Sequence, residues 1–413
     1  MFDPRKRLAG EVRRLEINAE KRSRGRRFRL GVRWNDARDR VEYMYKHGEL
    51  LCRGTDLDLV LAAFANTGLE RPERVTSPLP SLRVLHVGDR DAAELADTLA
   101  ATLGDGVLTP NHVLDAHAYV RLCPATEPLP WHGPVTDLPE PRGTGRAHVA
   151  VVDTGFSATV ADDSAYARFS AVAPDSEPDD LVHVQDTTII EPYGGHGTAA
   201  TARLLAVTGA ESTTVHVSSC AVGGAVDEVS VAQAVAAAAR SGASVISLQA
   251  GAYTREAEPP VAFAALRDDV LTDHPDTVLV AAAGNNSTDD EFWPAAFDWV
   301  TGVGGLTTDG SARADWSNHG EWVDVYAVGD NVTVPYPNGS YEYLGSELSV
   351  EFTQGHAIWS GTSFATPVVA GMIARRMIED DVDAPAARDA VLADAATAAV
   401  TGIGPRALPG QDG

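Results

Sequence analysis

From about residue 143 onward, short and wholly apolar runs alternate with longer helical ones. Runs such as Val149-Ala150-Val151-Val152 and Val278-Leu279-Val280-Ala281-Ala282 carry no polar alternation. That pattern belongs to strands covered on both faces, as in a parallel sheet between helices. It predicts strands near 147–152, 214–220, 244–248, 277–282 and 299–304. It predicts helices near 196–207, 229–241, 259–273, 362–378 and 385–399. The fold class is therefore α/β, a parallel β-sheet flanked by helices.

A smaller unit precedes it. Residues 28–33 and 41–46 read as strands, and Thr55-Asp56 caps a helix running to about Asn66. Leu82 to Val87 reads as a strand, Asp91 to Leu103 as an amphipathic helix, and Ala118 to Leu122 as a further strand. The chain thus divides into an arm (1–25), a small α+β domain (26–124), a Pro-rich linker (125–142), a large α/β domain (143–400) and a loose tail (401–413). No internal repeat is evident.

Charge sharpens this division. Residues 1–34 hold 12 Lys/Arg and 4 Asp/Glu, while the rest of the 413 residues hold 21 and 54. The acidic body disfavours nucleic acid. The basic arm reads as a solvated tail, or as a segment that docks on acidic surface. Three cysteines, Cys52, Cys123 and Cys220, form no disulfide framework and no metal spacing, and are expected reduced and buried. No apolar run is long enough to cross a membrane. The Arg-rich start lacks the apolar core of a secretory signal, so the expected location is cytoplasmic.

Four segments carry candidate chemistry. Gly361-Thr362-Ser363-Phe364-Ala365-Thr366-Pro367 puts a hydroxyl at the start of an apolar helix, where free N–H groups and the helix dipole favour developing negative charge. Val151-Val152-Asp153-Thr154-Gly155 ends a strand in a carboxylate. Gly194-Gly195-His196-Gly197-Thr198 places an imidazole on a helix's first turn, and Ala283-Gly284-Asn285-Asn286 ends a strand in an amide. Taken singly, each is equally a cap or a turn residue.

Taken together, they resemble the subtilisin-like serine proteases, the subtilase family, whose order along the chain is Asp, His, Ser. The resemblance covers roughly residues 143–400. It implies a subtilisin-like three-layer sandwich preceded by a domain that resembles a prodomain. It also implies that Asp153, His196 and Ser363 form a catalytic triad, with Asn285 in the oxyanion hole. Ser363 would be the nucleophile and His196 its general base, while Asp153 would orient and stabilise the imidazolium. Asn285 would donate its amide to the oxyanion, beside the Ser363 N–H.

For substrate, the resemblance implies that Ser247, Leu248, Gln249, Ala250 and Gly251 offer an open strand edge to a peptide. Ala282, Ala283 and Gly284 would wall the pocket for the residue on the acyl side of the scissile bond, leaving room for a sizeable apolar side chain. Gln249 and Ala250 depart from the family's usual glycines, which points to a narrow substrate set. The loop 207–213 is short and poor in oxygen ligands, so calcium is not predicted there and no cofactor is expected. Residues 337–357 read as a packed surface hairpin or a flap over substrate. The function implied is an intracellular serine endopeptidase with restricted substrates, acting on peptides or proteins and masked by its own N-terminal domain. The alternative is a catalytically silent module that binds peptides or partners.

Overall fold

The computed structural model describes residues 29–35, 41–115, 126–131, 133–179, 181–182, 186, 188–220, 225–343 and 348–410. The basic arm, Cys123 and the strand expected at 118–122 lie outside the described residues.

A sheet of seven parallel strands forms the centre of the large domain. Its spatial order is Arg406–Ala407, Val325–Val328, Thr301–Leu306, Val278–Ala282, Val245–Leu248, Ala147–Asp153 and Thr213–Ser219. Alternate side chains leave opposite faces. Val149 and Val151 enter the core shared with helices His196–Thr208 and Thr362–Asp380. Ala150 and Val152 enter the one shared with helices Glu228–Arg240 and Val261–Asp269. Both faces are covered, which explains why these strands read as unbroken apolar runs.

Chain order reverses direction between the 147–153 and 245–248 strands. In open α/β sheets, such a switch leaves a crevice outside the strands' carboxyl ends. Asp153 is the last residue of one of these strands, and Gln249 follows the other.

The N-terminal unit has its own antiparallel sheet, ordered Ala225–Asp227, Thr109–Asp115, Val41–Arg53, Leu82–His86 and Arg74–Thr76, with Leu30–Trp34 also on the long strand. Helices Leu57–Asn66 and Ala92–Leu103 accompany it. Asp91 starts the second helix by accepting from the Ala93 and Glu94 N–H groups. One strand of this sheet, 225–227, belongs to the large domain. In addition, Leu51, Leu82, Val84 and Leu114 enter the same core as helices 228–240 and 261–269. The two units therefore share a core across the linker.

Two expectations change, for the tail and the linker, while the 337–357 segment takes the first of its two readings. The tail is not loose, because Arg406–Ala407 pairs with 325–328 as the last strand and buries Ala407. The linker is strapped to the body, with Leu129–Pro130 pairing on His356–Trp359 and the Leu138 N–H donating to the Ala206 carbonyl at 2.9 Å. The 337–357 segment is a hairpin, Gly339–Glu342 against Ser349–Phe352, with Tyr341 and Phe352 packed beside Trp359 and Phe364. Cys52 is buried and Cys220 half-buried, both as free thiols. Among the described residues, no helix is long and apolar enough to cross a membrane.

Candidate active site

Asp153 ends its strand with its side chain turned onto the first residue of helix 196–208. The His196 Nδ1 stands 2.8 Å and 2.9 Å from the two Asp153 carboxylate oxygens. An ionised carboxylate only accepts hydrogen bonds, so Nδ1 carries the proton and Nε2 is the basic nitrogen. Asp153 is 2% exposed and His196 1%. Such close approach depends on Gly197, where an added Cβ would stand 3.0 Å from the Gly155 nitrogen and 3.2 Å from the Asp153 Cβ.

A second layer fixes this pair. Thr154 Oγ1 accepts from the Gly197 N–H at 3.0 Å and donates to Asp179 Oδ2 at 2.9 Å. The same Asp179 oxygen accepts from the Gly195 N–H at 2.9 Å. Asp179 thus clamps the aspartate turn to the start of the histidine helix. Nothing in Glu177-Pro178-Asp179 marks it in sequence, whereas Thr154 stands inside the Asp-Thr-Gly motif.

The other half of the site forms at the start of helix 362–380. Asn285 Oδ1 accepts from the Thr362 N–H at 2.8 Å and from Thr362 Oγ1 at 2.9 Å. That leaves the amide NH₂ as the donor this side chain can offer elsewhere. Ser363 follows Thr362, is 3% exposed, and has its Oγ 3.5 Å from the Gln249 carbonyl. Its backbone N–H belongs to the helix's first turn, where no intrahelical acceptor exists. The two halves meet through aromatic packing. The His196 ring lies 5.2 Å from Phe364, next to Ser363, and 5.3 Å edge-on from Trp359.

Cys220 also approaches Asp153, its thiol 3.7 Å from the Asp153 carbonyl. Burial, then the Asp153 carboxylate, hold that thiol above its usual range, so it stays protonated and is no nucleophile.

The expected substrate residues are placed less simply. Ser247 and Leu248 lie in a strand paired on both sides, to 147–153 and to 278–282, so they offer no free edge. Gln249, Ala250 and Gly251 continue past its end and are buried. The Gln249 side chain turns into the sheet. Its amide is satisfied when the nitrogen donates to the Ser247 carbonyl at 3.1 Å and the Val152 carbonyl at 3.3 Å, with the oxygen accepting from Ser247 Oγ at 2.6 Å. It therefore does not narrow the crevice as its position in the sequence suggests. Ala282, Ala283 and Gly284 lead to Asn285 as expected, but the gap between them and 249–251 is not open. Phe292 stands in it.

A parallel α/β fold with a carboxylate–imidazole pair at its switch point, beside a helix opening on Thr-Ser, defines a narrow class. The model of the subtilase family matches residues 145–408, more than half of the chain, and the chain belongs to that family. A thermophilic serine proteinase of Bacillus sp. strain AK1 is 31% identical over 244 residues, covering 56% of this chain and 52% of that protein. Subtilisin-like protease 7 of Arthroderma otae is 36% identical over 96 residues, covering 23% and 20%. The chain thus spans about half the length of the first relative and a fifth of the second. Among solved structures, fervidolysin from Fervidobacterium pennivorans superposes with a TM-score of 0.53 at 20% identity, covering 83% of this chain and 56% of that one. That last likeness concerns the fold.

Proposed function

We propose that this chain is a serine endopeptidase working through Asp153, His196 and Ser363, with Asn285 as an oxyanion donor. The observation that carries the reading is the buried His196–Asp153 pair at the switch-point crevice. Ser363 Oγ attacks the scissile carbonyl as His196 Nε2 takes its proton. The carbonyl electrons move onto oxygen, where the Asn285 NH₂ and the Ser363 N–H donate hydrogen bonds. Asp153 stabilises the imidazolium and keeps its own charge. Collapse expels the amine, which receives the proton from His196. Water then repeats the sequence on the acyl-enzyme, releasing the acid and restoring the serine. The scheme invokes no cofactor.

Restriction of substrates, in this reading, comes from the N-terminal unit masking the crevice. The unit would be kept on the large domain by its shared core with helices 228–240 and 261–269. The free thiols Cys52 and Cys220 support a reducing, intracellular setting.

The test is a fluorophosphonate reaction read by intact mass and peptide mapping. One adduct, on Ser363, is the expected result, both in the intact chain and in one cut between residues 125 and 142. A chain that stays unlabelled in both forms would sink the reading and favour a silent binding module.

Asn285→Ala is expected to lower kcat by about 10²–10³-fold with little change in KM, since an oxyanion donor acts on the transition state. The variant also takes from Thr362 the acceptor of its N–H and hydroxyl. Its thermal midpoint should therefore be measured beside its steady-state kinetics. A parental kcat in a folded variant would remove Asn285 from the oxyanion role.

A further inference from the structure

The pocket wall expected at 282–284 faces the end of the substrate segment, 249–251, which makes the opposite wall. A pocket between them requires empty space, and one phenyl ring occupies it. A Cβ added at Gly251 would meet the Phe292 ring, with Cε1 nearest and Cδ1 at 2.6 Å. A Cβ added at Gly284 would meet the same ring, 3.0 Å from Cδ1 and 3.1 Å from Cγ. The ring therefore lies against a glycine of each wall at once. Only 7% of Phe292 is exposed.

The ring is also held in place. Tyr253 packs against it edge-on, with centroids 5.0 Å apart. The Tyr253 hydroxyl accepts from Asn318 Nδ2 at 2.9 Å, and the same nitrogen donates to the Ala283 carbonyl at 2.8 Å. Asn318 thereby ties the tyrosine behind the ring to the wall in front of it. On the chain side, Trp293 and Ala252 exchange backbone hydrogen bonds of 2.9 Å and 2.7 Å. That pairing anchors the residue after Phe292 to the residue after Gly251. The pairing fixes the backbone that carries the ring, and the contact with Tyr253 and the near-complete burial of Phe292 oppose its rotation.

We propose that Phe292 closes this pocket and restricts cleavage to bonds that follow a small residue: glycine, alanine or serine. The inference rests on the peptidase reading above and names the substrate class of that site. A larger side chain would have to share the gap with a ring already touching both walls. Even one misplaced methylene in a fitted pocket changes kcat/KM by roughly 10–200-fold.

The experiment is a digest of a peptide library by the full chain, with the residue before each cut read by mass spectrometry. Ser363→Ala provides the background. Matched peptides differing only at that residue then give kcat/KM for the parent, Phe292→Val and Phe292→Gly. Parent cuts are expected after glycine, alanine or serine, with Leu and Phe peptides poorer by on the order of 100-fold. Phe292→Gly should recover most of that factor on the Leu and Phe peptides, and Phe292→Val part of it. Fluorophosphonate labelling at the parental rate certifies that a variant is folded. Should neither variant fold, the parent profile decides alone. Parent cleavage after Leu or Phe as fast as after Ala would overturn the inference and leave the peptidase reading standing. A folded Phe292→Gly that still refuses Leu and Phe would do the same. No Ser363-dependent cut, together with no fluorophosphonate adduct on Ser363 in the intact or the linker-cut chain, would remove the peptidase reading, and this inference with it.

Discussion

Ser363→Ala is expected to lower kcat by about 10⁶-fold, to the rate that binding and the oxyanion donors sustain alone. The change deletes one oxygen from a buried side chain and leaves helix 362–380 its apolar packing, so thermal stability should stay near the parental value. A sharper test of the pair beside it is Asp153→Asn. An asparagine can turn its NH₂ toward His196 Nδ1, which then becomes an acceptor. The ring proton moves to Nε2, and the nitrogen that should accept the serine proton no longer can. The expected loss in kcat is about 10⁴-fold with geometry preserved. Active-site titration with steady-state kinetics measures both. Parental turnover in folded Ser363→Ala would refute the nucleophile assignment. Parental turnover in Asp153→Asn would show that the 2.8 Å contact only braces the ring.

The second large effect concerns stability. His112, on the N-terminal unit, holds Nδ1 3.0 Å from Glu228 Oε2, and these side chains are 1% and 0% exposed. The His112 Nε2 accepts from the Arg255 N–H at 3.1 Å, so the ring is neutral and its one proton faces the carboxylate. The other Glu228 oxygen accepts from the Ala262 N–H at 3.3 Å. His112→Leu would keep the volume but strip a buried carboxylate of its strongest donor. The expected loss is about 1.5–3 kcal/mol, the range for a hydrogen bond to a charged group, read as a lower urea midpoint. Arg53→Ala removes a 2.6 Å pair with exposed Asp268 across the same boundary and should cost about 0–1 kcal/mol. Equal effects would show that burial is not what makes the His112 contact matter.

The central sheet and the candidate site were legible for one physical reason. Asp153, His196, Asn285 and Ser363 stand at element ends, and each end is marked by an apolar run beside glycine or threonine. The strand Thr109–Asp115 was not legible, because Pro110, Asn111 and His112 give it no apolar alternation. Its buried polar groups find partners more than a hundred residues away, Asn111 reaching Asp227 at 3.1 Å and His112 reaching Glu228. Arg406–Ala407 is too short to show a period. The direction of the Gln249 side chain and the place of Phe292 follow from neighbours on other strands. Asp179 accepts from the Gly195 N–H and the Thr154 hydroxyl, both distant in sequence, and nothing beside it in the chain marks that role.

Among the described residues, 225–227 is the sixth strand of the N-terminal sheet, yet it is made long after the other five. Pairing Ala225 with Asp115 waits until about a hundred more residues have left the ribosome. At about 5–20 residues per second, the early unit spends several seconds with one sheet edge unpaired and with Leu51, Leu82 and Val84 uncovered. During synthesis it is a template for the larger domain before it is a neighbour. The same pairing bears on what a cut between residues 125 and 142 would yield. The two pieces would remain one particle, held by a common sheet and core, and their separation would be a slow unfolding event rather than a release.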